Sequence, residues 1–200
     1  MFYEPQAGHG LPHDPFKAII APRPIGWIST IDPQGRANLA PYSFFNAIST
    51  TPPMLAFSSE GFKDSVRNAE ATGEFVFNLA TAALAEPMNQ SAARVPPEVN
   101  EFELTGLSTA PCRLVRPPRV AASPAALECK VIEVLHLRDL DGQPVGRYLT
   151  IGQLVGVHID DAYLVDGLFD TARAVPLARC GYRDFSAVTS VFAMLRPEES

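Results

Sequence analysis

The sequence predicts a mainly β protein, a small antiparallel barrel with a few short helices. Nineteen prolines and 13 glycines interrupt its 200 residues, which favours short strands and turns over long helices. At least six stretches have strand character, and short connections join most of them, as in antiparallel sheets. With 46% hydrophobic and 19% charged residues, the chain is long enough to bury one core.

Charge and composition exclude several classes of partner. A formal net charge of -6 argues against duplex nucleic acid and anionic membrane, which are bound through clustered Lys and Arg. There is no apolar run of about 20 residues and no signal peptide pattern, so we expect a cytoplasmic protein. Cys112, Cys129 and Cys180 are widely spaced, which predicts reduced thiols and neither a disulfide framework nor a metal site.

The strands and helices follow one another with clear turn signals. A type I turn is predicted at residues 32–35, and Asp141-Gly142 is a hairpin signal. A helix over residues 63–72 would have Asp64 as its N-cap and Gly73 as its C-cap. A second helix over residues 82–90 is interrupted at Pro87. The predicted strands span residues 25–31, 36–40, 54–59, 74–79, 127–139 and 145–159.

The domain organisation is simple. Residues 1–18 are rich in Pro and Gly and are predicted to be an arm on the surface or on a partner, and residues 19–200 form one domain. Residues 91–124 show little periodicity, which suggests an irregular excursion with one short helix, a candidate lid. Gly146, Gly152 and Gly156 would permit bends or bulges in the last long strand.

One stretch suggests a ligand. Residues 40–49 place hydroxyls, a carboxamide and aromatic rings on extended backbone, with Ser43, Phe44, Phe45 and Asn46 at its centre. Such a ledge suits a flat aromatic ligand with a polar rim. The competing interpretation is an ordinary strand in which Phe44 and Phe45 belong to the core, but that does not explain the crowding of polar residues.

A second feature gives this ligand a phosphate. Lys63, Asp64 and Ser65 begin a helix, where free backbone N–H groups, an ammonium and a hydroxyl converge on an anion. Asp64, as the cap, would point away from it. Ser58 and Ser59 end the preceding strand, so ledge, strand end and helix start can line one groove. An ordinary capped surface helix is the alternative, but the combination favours FMN.

Other polar residues leave their roles open. Asn78 lies inside an apolar strand, where its amide would satisfy a bulge or reach the ligand. A structural role is favoured for His158. Arg179 would pair with a neighbouring Asp, at position 160, 161 or 184, or reach the site of a neighbouring subunit. We find no nucleophile with a base and no dinucleotide-binding motif, so no catalytic residue is assigned.

An ordered set of motifs resembles the flavin reductase-like, FMN-binding split-barrel family, in the branch of flavoredoxins and the reductase components of two-component monooxygenases. The likeness is tight over residues 20–90 and looser over 127–182. Its motifs are Arg23-Pro24-Ile25, Trp27-Ile28-Ser29-Thr30, the stretch over residues 38–46, Pro52-Pro53, Lys63-Asp64-Ser65 and Gly73-Glu74-Phe75-Val76-Phe77-Asn78.

The resemblance implies a homodimeric, six-stranded Greek-key barrel with one FMN per subunit near the dimer interface. FMN would contact three groups of residues: Ser43, Phe44, Phe45 and Asn46 along the isoalloxazine with Ser58 beside it; Lys63, Asp64 and Ser65 at the phosphate; and Asn78. We expect NADH or NADPH to pass hydride to FMN, which a monooxygenase or another acceptor then oxidises. A flavoredoxin-like electron carrier without a nicotinamide site and a flavin-free binding barrel are the alternatives.

Overall fold

A computed structural model describes residues 1–197, and the predicted end of the domain at residue 200 lies outside them. Fourteen strands occur in this described part of the chain, and seven of them form one antiparallel sheet in the order β3-β2-β6-β9-β10-β5-β4. The strands are β1 (Arg23–Pro24), β2 (Gly26–Ile31), β3 (Ala37–Tyr42), β4 (Phe45–Thr50), β5 (Pro53–Glu60), β6 (Glu74–Leu79), β7 (Thr109–Ala110), β8 (Arg119–Val120), β9 (Ala125–Arg138), β10 (Pro144–Ile159), β11 (Leu164–Val165), β12 (Leu168–Phe169), β13 (Leu177–Arg179) and β14 (Phe185–Ala187).

The helices are short accessories to this sheet. They are α1 (Phe16–Ile19), α2 (Asp64–Thr72), α3 (Ala85–Gln90), α4 (Glu101–Leu104) and α5 (Thr171–Ala174), with 3-10 turns at Pro5–Ala7, Ala82–Leu84 and Asp161–Tyr163. Within residues 1–197, no helix has the length and apolar character needed to cross a membrane.

The two longest strands curve the sheet. β9 pairs with β10, and the pairing register shifts at three places along β10, before Tyr148, between Ile151 and Gly152, and before Gly156. Gly152 also permits a close contact, because an added Cβ would lie 2.3 Å from the Phe75 ring. The bulges expected from the glycines of this strand are therefore confirmed.

Two apolar clusters hold the sheet and helices together. One lies among β2, β5, β6 and β9 and includes Ile28, Phe57 and Phe75, all without solvent exposure. The other joins β2 and β3 to the helices through Trp27 and Phe102. Each fully buried side chain of this size contributes about 1.5–3 kcal/mol relative to an exposed one, so these clusters fix the position of α2, α3 and α4 against the sheet.

The structure confirms the mainly β class and corrects two details. The main sheet has seven strands where the resemblance implied six, because residues 45–50 form a strand of their own, β4, paired with β5. The N-cap of α2 is Lys63, not Asp64, while Gly73 is its C-cap with a φ of 72°. The Greek-key arrangement stays a prediction.

Candidate functional site

A groove of about 720 Å³ runs along the start of α2. Its walls come from the end of β3, the first turn of α2, the loop after α3, and α4. We call it the Lys63 groove, and its lining includes Pro41, Tyr42, Glu60, Lys63, Asp64, Ser65, Arg67, Ala92, Arg94 and Glu101. The structure therefore brings the three residues predicted for the phosphate together on one open cavity.

The first turn of α2 presents free backbone donors to this groove. The first helical hydrogen bond runs from the N–H of Arg67 to the carbonyl of Lys63 at 2.9 Å. The N–H groups of residues 64–66 precede it and therefore have no acceptor within the helix. Lys63 is extended, with φ −80° and ψ 175°, and makes no side-chain cap. This end of α2 is suited to bind an anion.

The charged side chains around this turn differ in how they are paired. The Asp64 carboxylate forms an ion pair with Arg67 one turn along the helix, and Glu60 pairs with Arg147 at 3.0 Å. Among residues 1–197, Lys63 forms no ion pair within 4.0 Å. Its ammonium is exposed and available to a bound phosphate.

Ser65 is held in place by a buried polar cluster. Its side chain is 1% exposed, and its Oγ accepts a hydrogen bond from Asn38 Nδ2 at 2.9 Å. Asn38 Nδ2 also reaches Thr30 Oγ1 at 3.3 Å, a second partner that orients the amide. These contacts hold the Ser65 oxygen in a fixed position beside the groove.

Two further groove residues are Tyr42, which lies in the predicted ledge but was given no contact of its own, and Glu101, which the sequence did not assign to the site. Burial raises the pKa of both, and for Tyr42 the hydrogen bonds between its phenolic oxygen and the side chains of Ser65 and Ser59 act in the opposite direction. Glu101 Oε2 accepts the N–H of Leu39 at 3.0 Å. Glu101 comes from the segment over residues 91–124, which carries no motif, so only the fold reveals it.

The predicted ledge divides into parts with different environments. Ser43 is half-buried and lines a second cavity described below. Phe44 is 43% exposed, and the guanidinium of Arg23 lies 5.9 Å from the centre of its ring. Phe45 stacks on Phe77 with ring centres 4.9 Å apart and packs against the core.

Two further predicted residues lie at the edge of this region. Asn46 is exposed, and its Oδ1 accepts the N–H of the next residue at 2.9 Å. Ser58 lines neither cavity, but its N–H donates to the carbonyl of Phe44 at 2.8 Å and so fixes the bend before β4. Ser43 and Phe44 lie in the bend between β3 and β4, whereas Phe45 and Asn46 are successive residues of β4, so their side chains point to opposite faces of the sheet.

Asn78 has partners within the protein for its whole amide. It has no solvent exposure, its Nδ2 donates to the Trp27 carbonyl and to Ser29 Oγ, and its Oδ1 accepts the N–H of Val120 at 2.7 Å. These bonds tie β6 to β2 and β8. Asn78 does not line the Lys63 groove, and we leave it out of the contacts proposed below.

A smaller cavity of about 240 Å³ adjoins the groove. Pro41 and Ala92 line both, so the two spaces meet beside the end of β3. We call it the arginine pocket; its lining is Lys17, Arg23, Ile25, Pro41, Ser43, Met88, Asn89, Ala92, Arg179, Cys180, Tyr182 and Phe185. Arg179 donates to the Tyr182 carbonyl at 2.6 Å, and it forms none of the expected pairs with a neighbouring Asp.

A third cavity, of about 620 Å³, contains a buried carboxylate. Glu128 is 1% exposed and accepts His158 Nε2 at 2.5 Å. It also accepts the N–H groups of residues 113–115 at 2.6–3.0 Å. Cys112, Glu128 and His158 offer ligand atoms within 4.8 Å of one another, but burial and the nearby carboxylate raise the pKa of the Cys112 thiol to about 12.

This cavity shares no lining residue with the Lys63 groove. The Glu128 carboxylate is already bound by four donors, which leaves it little capacity for a cation. The cluster therefore anchors the loop over residues 113–115 to the sheet, and it gives His158 the structural role that the sequence favoured.

The fold and the groove together define a class: a mainly β split barrel with free N–H groups and a lysine at a helix start on its surface. Residues 20–176 match the model of the flavin reductase like domain, and the chain belongs to that family, as the sequence motifs predicted. It is 33% identical over 183 residues to an uncharacterized protein of Halalkalibacterium halodurans, covering 89% of this chain and 87% of the relative.

Solved structures agree with this assignment. Nitrilotriacetate monooxygenase component B from Bacillus cereus superposes with a TM-score of 0.87 at 25% identity, over 97% of this chain and 98% of the other. The flavoredoxin of Desulfovibrio vulgaris (Miyazaki F) superposes with a TM-score of 0.78 at 23% identity, over 87% of this chain and 91% of the other. The second likeness concerns the fold alone.

Proposed function

We propose that the protein is an FMN-binding oxidoreductase that oxidises NADH or NADPH. The observation that carries the proposal is the start of α2, where three N–H groups without a helical acceptor and the unpaired Lys63 face a groove of about 720 Å³. A phosphate monoester fits this donor set, because it is a dianion that accepts several hydrogen bonds at once.

The residues present fit FMN in the groove. Lys63 and the N–H groups of residues 64–66 would hold the phosphate, with the Ser65 hydroxyl fixed beside it by Asn38. Pro41, which lines the groove, would provide apolar cover for the isoalloxazine, and Ser43 and the exposed ring of Phe44, which do not line the groove, would contact it only at its edge. Phe45 supports this surface from the core side through its stack on Phe77.

Bound FMN would supply the chemistry, accepting hydride from the nicotinamide and passing the electrons onward. The chain would contribute orientation and exclusion of water, with the loop that contains Ala92 and Arg94 opposite α2. No acid or base side chain is required for hydride transfer between two rings held face to face. A monooxygenase would be one acceptor, as the description of the Bacillus cereus relative suggests.

We also propose that two copies associate. Val155, Val157 and Ile159 alternate along β10 and are 36%, 55% and 42% exposed, and Ile48 on β4 is 51% exposed. Exposed apolar side chains of this kind are expected at a subunit interface. A homodimer would cover these side chains.

The test compares FMN with riboflavin, which lacks the phosphate. Lys63→Ala should weaken FMN binding about tenfold, the effect of losing a charge-assisted contact, and should change riboflavin binding less than twofold. Arg138→Ala removes an exposed charge from the β9-β10 hairpin and serves as the matched control. Equal losses for FMN and riboflavin would remove Lys63 from the phosphate site.

The reductase activity is checked on the FMN-loaded protein. Stopped-flow mixing with NADH or NADPH should bleach the flavin absorbance faster than the same nicotinamide bleaches free FMN. Bleaching at the free rate would leave an FMN electron carrier, and colourless protein that binds no FMN in an equilibrium titration would leave a flavin-free barrel.

A further inference from the structure

All the charged residues that line the arginine pocket are cations. Lys17 on α1, Arg23 on β1 and Arg179 on β13 line it, and none of its lining residues is Asp or Glu. Among residues 1–197, none of these three cations forms an ion pair within 4.0 Å. Cations that converge without a counter-ion repel one another, so an anion placed among them would be stabilised.

Arg23 is the strongest evidence that the pocket binds an anion, because its charge is buried. The side chain belongs to a residue that is only 8% exposed. Its guanidinium donates to two neutral acceptors, the carbonyls of Lys17 and Cys180, and its Nε is buried without any partner. A buried charge without an opposite charge is costly to the fold, which indicates that this position is kept for an anionic ligand.

Two of the three cations, Arg23 and Arg179, are held in place by hydrogen bonds. Arg23 joins the chain at residue 17 to that at residue 180, and Gly181 packs so closely on α1 that an added Cβ would lie 2.4 Å from the Ala18 Cβ. Arg179 lies 4.4 Å from the centre of the Phe185 ring. A pocket whose charged groups are already ordered loses little entropy when it binds.

The uncharged residues that line the pocket indicate the other chemical features of its ligand. Ile25 and Met88 contribute apolar surface, and Tyr182 and Phe185 contribute aromatic rings that are 54% and 40% exposed. A volume of about 240 Å³ accommodates a single substituted ring. The pocket meets the Lys63 groove at Pro41 and Ala92.

We propose that the arginine pocket binds a small aromatic carboxylate, with its carboxylate among Lys17, Arg23 and Arg179 and its ring against Tyr182 and Phe185. The further statement that this carboxylate is a second substrate, bound beside FMN, rests on the proposed function. Carboxylate binding itself does not. The two are measured separately, since FMN is titrated alone and with the aromatic acid.

The test uses benzoate as the probe, with benzamide as its neutral counterpart and inorganic phosphate as an anion without a ring. Isothermal titration of the FMN-loaded protein should show benzoate binding at least about tenfold more tightly than benzamide, because truncating a buried charge contact costs that much or more. Phosphate binding as tight as that of benzoate, or equal binding of benzoate and benzamide, would overturn the proposal.

Variants locate the site. Lys17→Gln and Arg179→Gln should each weaken benzoate about tenfold. Arg138→Gln removes the same charge from an exposed position on the β9-β10 hairpin that lines neither the pocket nor the groove and should change benzoate binding less than twofold. Arg23 is left unchanged in these variants because it joins two chain segments, and its loss could unfold the region.

Competition with FMN gives the decisive control. Saturating benzoate should leave the dissociation constant of FMN within twofold, since the two ligands occupy adjoining cavities. A benzoate-dependent rise in that constant would show that the pocket is part of the flavin site and would overturn the proposal. FMN binding without benzoate binding would refute the pocket and leave the proposed function intact.

Discussion

Consecutive backbone N–H groups converge at two places in this protein, and the chain treats them in opposite ways. At residues 113–115, three successive N–H groups donate to the buried carboxylate of Glu128. At residues 64–66, the N–H groups at the start of α2 have no acceptor within the helix and face an open groove. The donors are chemically the same, so the two places differ in which acceptor binds the N–H groups.

The two sets of N–H groups have different roles, one structural and one in ligand binding. Where the chain supplies its own anion, as with Glu128, the donors are satisfied and the loop is fixed. Where the nearest carboxylate, Asp64, instead pairs with Arg67, the donors remain available to a ligand. N–H groups without an acceptor in the helix, together with Lys63, which forms no ion pair, therefore indicate a site for an external anion.

The largest expected effect follows from removing the internal anion. Glu128→Gln takes the charge from a carboxylate that accepts three N–H groups and His158. Because its partners would stay buried without it, we expect the free energy of unfolding to fall by about 3–5 kcal/mol. Urea denaturation followed by circular dichroism measures the loss.

Glu133→Gln on the same strand is the matched control. Glu133 is exposed, and exposed substitutions of this kind change stability by less than about 0.5 kcal/mol. If Glu128→Gln were as stable as Glu133→Gln, the Glu128 cluster would not be structural, and the comparison between the two donor sites would fail.

The contribution of Glu128 to the free energy of unfolding should also depend on pH, and this effect is smaller. Burial acts to raise the pKa of Glu128, but the Arg113 N–H and the other donors, His158 included, hold the pKa below its usual value. A carboxyl whose pKa is lowered in the folded state contributes stability above its unfolded pKa of about 4.3, and this is lost as the pH falls through the folded pKa.

The stability advantage of the unmodified protein over Glu128→Gln should therefore be larger at pH 6 than at pH 3. Urea unfolding of both proteins at these two values measures it, and carboxyls common to both cancel in the difference. An advantage that is the same at both values, or larger at pH 3, would show that the Glu128 carboxylate is not preferentially ionised in the fold.

Local signals predicted most of the fold. The turn at residues 32–35 and the Asp141-Gly142 hairpin occur as expected, with Gly35 at φ 87° and Gly142 at φ 78°, conformations that glycine adopts at little cost. β6 (Glu74–Leu79) has the predicted bounds. These elements depend on neighbouring residues, which a sequence displays directly.

The parts that the sequence missed depend on distant residues. The apolar residues at odd positions 127, 129, 131, 135 and 137 of β9 predict one buried face. Glu128, at an even position, is nevertheless buried, because the loop over residues 113–115 covers the other face. Arg23 and Arg179 meet through pairing of β1 with β13. Glu101 reaches the groove from a segment without any periodic pattern. No local pattern records such contacts.

The smallest expected effect concerns the unfilled donor site. Ser65→Ala removes the hydroxyl whose oxygen Asn38 holds at the start of α2, and a typical single hydrogen bond contributes about 0.5–1.5 kcal/mol. FMN binding should therefore weaken about threefold to tenfold, while riboflavin binding changes less than twofold. Ser65→Thr keeps the hydroxyl and should retain FMN affinity. If Ser65→Thr lost as much affinity as Ser65→Ala, packing at this buried position would explain the effect, and the hydroxyl would have no role in binding phosphate.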